Sequence, residues 1–460
     1  MGSYNHVLGS LFGDLTDIVF VNRPVNPYMS FQKYLLVYDG MRMVFDFTET
    51  EEQRLIVRSV KEWCEKNLNA EKVREMDDEG HPFPKEIVEG LCSLGVVMGP
   101  VPVEHGGSGI DWVTQALIAE VIGYYDPTVA TAAALMAVET GWGFTLDRHC
   151  GEIVRERYVK PAIEGKQFVG IATTEPGGGS DVAGFKSTAQ KDKDGWILNG
   201  EKTFISGTEE CKKWGGGYWV NVRSGPTLPE APHRNMTSFF LPIDTEGVEV
   251  QKPYRDAGRM AISTGGFTMN DVRLPDEYRL GEIGKGFYYT MEGFDNARMM
   301  IAASCVGMIK RVLDIGTPYI KERITFGRPL AKNEAIQFEL AEIYREMEAL
   351  KLMTLKTCWM QDIRYREEGI LAKTGKPKTF TPLEITKWIS MIKWKGPSLA
   401  LDTAQRVMLW FGAAGYTKDY LLEAAWRGIM SYVIGAEGGK NIQKLVVARE
   451  LLGKQYIPYK

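Results

Sequence analysis

The chain is 460 residues long, beyond the ~250–300 at which a single hydrophobic core stops growing, so more than one domain is expected. Its 55 Lys and Arg against 59 Asp and Glu leave a formal charge of −4, without the basic excess that nonspecific nucleic-acid binding needs. At 44% hydrophobic and 25% charged residues, it is neither a disordered nor a fibrous chain.

Residues 1–42 mix Gly, Pro, Asn and aromatics without sustained periodicity and read as an N-terminal extension of unknown role. They carry no early Lys or Arg, and Asp14 and Asp17 interrupt their apolar residues, so no secretory signal is expected. Met41 or Met43 is a natural start for the folded core. Thr48 followed by Glu51 has the spacing of a capping box and predicts a helix that buries Leu55, Ile56, Val60 and Trp63. The pattern over 43–167 stays helical. Its longest apolar run, residues 130–138, includes Thr131 and falls well short of the ~18 residues of a membrane span.

Over 168–282 the texture changes to short strands. Trp196-Ile197-Leu198 leads into Asn199-Gly200, a tight-turn dipeptide. Further strand candidates lie at 218–222, 238–241, 248–250 and 267–269, and 224–235 reads as an exposed loop. Over 283–460 the chain is helical again. Ile336, Leu340, Ile343, Met347 and Leu350 form a heptad-like stripe suited to a bundle, and residues 369–382 read as a loop between two long helices. The six cysteines (Cys64, Cys92, Cys150, Cys211, Cys305, Cys358) form no CxxC pair. They are expected to be reduced thiols of a cytoplasmic protein. Five histidines without ligand spacing give no metal site.

Four strings carry potential chemistry. Thr173-Thr174-Glu175-Pro176-Gly177-Gly178-Gly179-Ser180-Asp181 has three glycines that allow close backbone approach and hydroxyls that can donate, although an ordinary Gly-rich turn has the same composition. In Lys202-Thr203-Phe204-Ile205-Ser206-Gly207, Phe204 and Ser206 share one strand face, fit either for a planar cofactor or for a half-buried sheet. Arg323-Ile324-Thr325-Phe326-Gly327-Arg328-Pro329 follows a helix and offers arginines to phosphates, as many helix ends do. Glu437, in Gly435-Ala436-Glu437-Gly438-Gly439, is either a desolvated base or a helix-start acid.

The order and spacing of these strings resemble the acyl-CoA dehydrogenase family of flavoproteins. The resemblance covers roughly 43–460 and includes Phe45–Thr48, the Gly106-Gly107-Ser108-Gly109 loop and the ending Val446–Gly453. It implies an α+β fold: an N-terminal α-helical domain, a middle β-barrel-like domain and a C-terminal four-helix bundle. It implies FAD. Ile171, Thr173 and Thr174 would lie along the flavin, Phe204 behind its ring and Ser206 beside N5. Arg323, Thr325 and Phe326 would reach the ADP half of FAD in a neighbouring subunit of a homodimer or homotetramer. Gly412, Ala413, Gly439 and Asn441 fall at cofactor-side positions. Ser180, Asp295, Arg298 and Gly438 match substrate-side positions, Asp295 and Arg298 those that hold the CoA moiety.

Glu437 matches the catalytic base of the medium-chain type. Some members carry the base beside Arg298 instead, but Ala297 stands there. The segment from Arg427 to Ile442 is one residue longer than the family spacing, and Gly439, Asn441, Glu334 and Leu409 depart from common residues. The implied reaction converts an acyl-CoA thioester to the 2-enoyl-CoA. Glu437 would take the α proton, and hydride would pass to flavin N5. The backbone N–H of Glu437 would help hold the thioester oxygen, and an electron-transferring flavoprotein would accept the electrons. An oxidase or monooxygenase, an enoyl-CoA reductase and a DNA-associated non-catalytic flavoprotein are the competing readings. The net charge and the retained Glu437 argue against the last of these. Met98, Trp112, Met136 and Trp142 are either pocket lining or plain core, so the acyl chain is not readable.

Overall fold

The structure, a computed structural model, describes residues 36–38, 41–43, 48–374, 379–456 and 458. Residues up to Thr50 form one unit and Glu51–Lys460 another. The first contains a hairpin of β1 (Leu36–Tyr38) and β2 (Met41–Met43), paired antiparallel with Leu36 opposite Met43. This hairpin straddles the boundary expected at residue 42. Phe45, Asp46 and Phe47, part of the family-like opening, lie outside the described residues.

The second unit opens with α1 (Glu51–Asn67), which begins two residues later than a cap at Thr48 would set it. Val60 and Cys64 are its buried residues, with Ile56 and Trp63 half-buried. Leu55, expected inside, is exposed, because it lies a full ~100° around the helix from Ile56. Then come α2 (Ala70–Glu79), capped by the Asn69 side chain, and α3 (Lys85–Ser93). Trp63 packs so closely over Gly90 of α3 that a Cβ there would sit 2.2 Å from its ring.

Helix α4 (Trp112–Tyr125) has its first N–H groups satisfied twice. Asp111 accepts from Thr114 N at 2.6 Å, and the distant Asp362 accepts from Trp112 N at 2.8 Å. A wide π-helical stretch, Ala132–Trp142, is wholly buried and continues into α5 (Gly143–His149). Two short helices, α6 (Glu152–Val154) and α7 (Lys160–Ile163), follow, joined by a second π stretch.

The middle segment is one eight-stranded sheet. Its strands are β3 (Phe168–Ala172), β4 (Thr188–Asp192), β5 (Gly195–Ser206), β6 (Gly216–Arg223), β7 (Met236–Pro242), β8 (Val248–Val250), β9 (Thr264–Leu274) and β10 (Arg279–Leu280). The pairing order is β10-β7-β6-β4-β5-β9-β8, with β3 parallel to β6, and α8 (Thr208–Trp214) sits between β5 and β6. Asn199-Gly200 is not a hairpin turn. β5 runs straight through it with a bulge against β9, and Gly200, at φ 142°, lies where a Cβ would meet Ser187 Oγ at 2.2 Å. Close backbone approach, not chain reversal, is the use of that glycine.

The last segment holds α9 (Gly286–Glu322), a hairpin of β11 (Ile324–Thr325) and β12 (Arg328–Pro329), α10 (Glu334–Thr374), α11 (Pro382–Phe411), α12 (Leu422–Ile434) and α13 (Lys440–Leu452). The heptad-like stripe faces inward, with Ile336, Ile343, Met347 and Leu350 buried. α10 extends to Thr374, into the expected 369–382 loop, and α11 starts at Pro382 behind a capping box of Thr381 and Glu384. All six cysteines are free thiols. Among the described residues, no helix is long and apolar enough to cross a membrane, and no cluster of residues suits a metal ion.

Glycine sets how closely the helices cross. A Cβ on Gly307 of α9 would lie 1.8 Å from the Glu120 carbonyl oxygen of α4, and one on Gly123 would lie 2.1 Å from that of Ser304. Gly141 meets Ala297 Cα in the same way, and Gly293 meets the Trp142 ring. These contacts press the π-helical stretch onto α9 next to Arg298. Gly307→Val is expected to lower stability by about 1–3 kcal/mol through overpacking. An unchanged melting temperature in calorimetry would show that the crossing has slack.

Candidate active site

Glu437 follows α12 on a turn whose geometry is set by backbone hydrogen bonds. The Ser431 carbonyl accepts from both Gly435 N and Ala436 N, each at 3.1 Å. That shared acceptor widens the end of the helix. The next turn closes through Gly438 N to the Gly435 carbonyl at 2.7 Å. Glu437 itself sits at φ 55°, a left-handed conformation that non-glycine residues adopt at a cost and that clusters at working sites.

The residue is half-buried, but its carboxylate is inside. Oε1 accepts from Trp142 Nε1 at 3.2 Å, and Oε2 is sealed from solvent with no hydrogen-bond partner. Burial pushes its pKa up to about 7; the Trp142 hydrogen bond and the positive charges of Arg298, Lys393 and Arg259 pull the other way. Among the described residues, no group accepts from its backbone N–H.

Three elements hold the loop. Arg298, on α9, donates through Nε to the Glu437 carbonyl oxygen at 2.9 Å and through Nη1 to Asp295 Oδ1 at 2.9 Å. Asp295 in turn accepts from Thr386 of α11 at 2.6 Å. Lys393, fully buried on α11, donates to the carbonyl oxygens of Tyr432 at 2.8 Å and Gly438 at 3.4 Å, and burial lowers its pKa to about 8. Gln443 of α13 donates to Glu437 O at 3.4 Å and to Gly438 O at 3.3 Å. Gly438 is at φ 91°, where a Cβ would press on Gln443 Nε2 at 2.9 Å.

Asp295 and Arg298, expected on CoA, are thus buried and occupied with each other and with the Glu437 loop. Arg298 is engaged on a carbonyl and a carboxylate, which ties the Glu437 loop to α9.

A second surface is built by β3, β5 and the glycine loop. Thr203 N donates to the Thr174 carbonyl at 2.9 Å, which brings Thr173 and Thr174 beside Phe204 and Ser206. The loop is clasped by Glu175, which accepts from Lys202 Nζ at 2.8 Å, Lys186 N at 2.6 Å and Ser187 N at 3.0 Å. Burial alone would raise the Glu175 pKa, but the Lys202 ammonium and these donors outweigh it and hold it below the usual value. Gly177 and Gly178 face open space, and a Cβ on Gly179 would touch only Thr174. Phe204 is exposed at φ 55° and stacks on Tyr254 with ring centroids 4.8 Å apart. A bare aromatic face, flanked by hydroxyls and an open glycine loop, fits a flat ring system such as a flavin.

The two surfaces meet. Ile171 pairs in register with Trp219, and Trp219 lies 6.2 Å from Trp142, the partner of Glu437. Ser206 pairs with Thr264, whose hydroxyl accepts from Arg259.

Other expected residues lie further out. Ser180 is exposed on the glycine loop. Arg323, Thr325 and Phe326 form the β11–β12 hairpin, with Phe326 fully exposed at φ 50° at its tip. Gly412 and Ala413 are exposed past α11, and Gly439 and Asn441 lie at the start of α13. Met98, Trp112 and Met136 are core, whereas Trp142 is core and also holds the base. Sequence reasoning missed Lys393, Tyr432, Gln443 and Arg259. Lys393 left a signal: a charge on the apolar stripe of Ile385, Ile389 and Ala400.

Three family models match the chain in order: the acyl-CoA dehydrogenase N-terminal domain over 50–166, the middle domain over 170–272 and the C-terminal domain over 284–452. The probable acyl-CoA dehydrogenase YngJ of Bacillus subtilis (strain 168) is 29% identical, covering 88% of this chain and 100% of its own. The caffeyl-CoA reductase-Etf complex subunit CarC of Acetobacterium woodii is 28% identical, covering 88% of this chain and 99% of its own. Butyryl-CoA dehydrogenase from Megasphaera elsdenii superposes with a TM-score of 0.76 at 28% identity, over 89% of this chain and 100% of that one. With helices, sheet and helices in the family order, and three family models matching in succession along it, the chain belongs to the acyl-CoA dehydrogenase family of oxidoreductases.

Proposed function

We propose that the protein binds FAD and catalyses the α,β-dehydrogenation of an acyl-CoA thioester, with Glu437 removing the α proton. One observation carries this reading: a carboxylate held by a single hydrogen bond through Oε1, with Oε2 bare, buried and poised near neutral pKa. An α C–H is a weak acid, so its base must be aimed, dry and strong enough at working pH. Trp142 fixes the carboxylate, and Arg298 fixes the backbone that carries it. The free backbone N–H of Glu437 is a donor for the thioester oxygen as charge develops there. Thr173, Thr174, Phe204 and Ser206 would hold the flavin, which when bound supplies the two-electron redox step. The family order of motifs and the flavoprotein complex named for the Acetobacterium relative support an electron-transferring flavoprotein as electron partner. The exposed β11–β12 hairpin, which matches the ADP-binding string, supports a shared cofactor site in a homodimer or homotetramer.

The reverse reaction has its own support. A carboxyl with a pKa of about 7 is as able to deliver a proton to the α carbon as to remove one, and the Acetobacterium relative is named a reductase. Mixing the oxidised enzyme with acyl-CoA and the reduced enzyme with enoyl-CoA measures both directions.

Glu437→Gln is isosteric. It is expected to keep the yellow flavin while slowing bleaching by saturated acyl-CoA about 10²–10⁴-fold. Bleaching at the wild-type rate would remove Glu437 from the mechanism.

The carboxylate is the active form of a base. The bleaching rate is therefore expected to fall tenfold per pH unit below about 7 and to level off above it. A stopped-flow series that is flat between pH 5 and 8 would contradict this.

A further inference from the structure

Arg259 is an anomaly of charge. It is buried, stands at φ 57° and, among the described residues, makes no ion pair. Among the described residues its one side-chain hydrogen bond, from Nη2 to Thr264 Oγ1, is long at 3.4 Å, and Nε is sealed from solvent without a partner. A guanidinium keeps its charge at any working pH, and a buried, uncompensated cation is expensive.

Its place is fixed from two sides. Thr264 is the register partner of Ser206, on the flavin-facing strand. Gly258, next to Arg259, packs on the α12 backbone so tightly that a Cβ would lie 2.6 Å from Gly428 N. One helical turn beyond Gly428 stands Tyr432, buried, with a hydroxyl that has no partner. Glu437 follows, with its own bare Oε2. Arg259 therefore lies where the strand partner of Ser206 meets α12, the helix that leads to Glu437. Arg259, Arg298 and Lys393 all act electrostatically on Glu437, and among the described residues only Arg298 of the two arginines has a carboxylate partner, Asp295.

We propose that Arg259 and Tyr432 form an anion subsite in the acyl pocket and that the preferred substrate is an acyl-CoA whose acyl group carries a carboxylate a few bonds beyond the β carbon. This rests on the reading of Glu437 as the α-carbon base. An anion beside that base must belong to the acyl part, since the CoA phosphates lie the length of the pantetheine away. Arg259 Nε donates to the carboxylate, and the Tyr432 hydroxyl donates alongside it.

The test uses the purified holoenzyme and pairs of thioesters of equal chain length, one ending in methyl and one in carboxylate, scored by flavin bleaching. Wild-type enzyme is expected to prefer the carboxylate member by at least tenfold in kcat/KM. Arg259→Met should abolish that preference by slowing the carboxylate member about 100-fold or more. At a pH high enough to keep Glu437 ionised in both enzymes, the methyl member should be slowed far less than the carboxylate member, and Arg259→Lys should recover part of the loss. Tyr432→Phe removes a hydroxyl that has no partner among the described residues, so it should fold normally and reduce the same preference. Equal loss on both substrates would show a general electrostatic or structural role and overturn the proposal, as would a wild-type preference for the methyl member. Bleaching by the methyl member alone sustains the dehydrogenase reading while sinking the subsite. Bleaching by neither sinks the dehydrogenase reading first.

Discussion

Everything in this site depends on keeping one carboxylate out of water without neutralising it. A buried carboxyl with no compensation simply stays protonated, and one bonded on every side is too weak a base. Glu437 is held between these limits by a single indole N–H on one oxygen and by charges that act at a distance. The close contacts go to the backbone instead. Arg298, Lys393 and Gln443 all grip carbonyl oxygens of the loop, which fixes the side chain while leaving its reactive oxygen bare.

That arrangement explains why the helical segments must meet where they do. Trp142 comes from a π-helical stretch early in the chain, Arg298 from α9, Lys393 from α11 and Gln443 from α13. Glycines at 141 and 293 let the π-helical stretch lie against α9, and Ala297 fills the remaining gap with its smallest possible side chain. The backbone of Gly141 lies so close to Ala297 that a Cβ on the glycine would meet Ala297 Cα at 2.6 Å.

Much of this was legible in the sequence, for reasons that differ by residue. The glycine loop, Phe204, Ser206 and Glu437 are local strings whose order carries the family resemblance, and the helix–sheet–helix order follows from periodicity. Where local reading went astray, long-range packing had decided the matter. Asn199-Gly200 has the chemistry of a turn, but β9 holds it in a continuous strand. Leu55 has the composition of core, but Val60 and Cys64 define a different face. Asp295 and Arg298 match positions that hold the CoA moiety, but no local string shows that Thr386, ninety-one positions after Asp295, and the Glu437 carbonyl also engage them. Arg259 and Tyr432 gave no signal at all, because one unpaired arginine in a loop looks like any surface residue until its burial is known.

The clasp of Glu175 by Lys202 and by two backbone donors bears on how the protein handles its cofactor. Lys202 is fully buried and ties the glycine loop to the Thr173 and Asn221 carbonyl oxygens as well. The loop is therefore shaped by the protein's own hydrogen bonds, and ring capture does not have to order a floppy segment. Loss and recapture of the flavin become docking events on a standing surface, not partial unfolding and refolding. An emptied chain should keep its sheet intact and refill at a speed governed by encounter, so cofactor supply rather than chain repair would limit recovery after the flavin is lost.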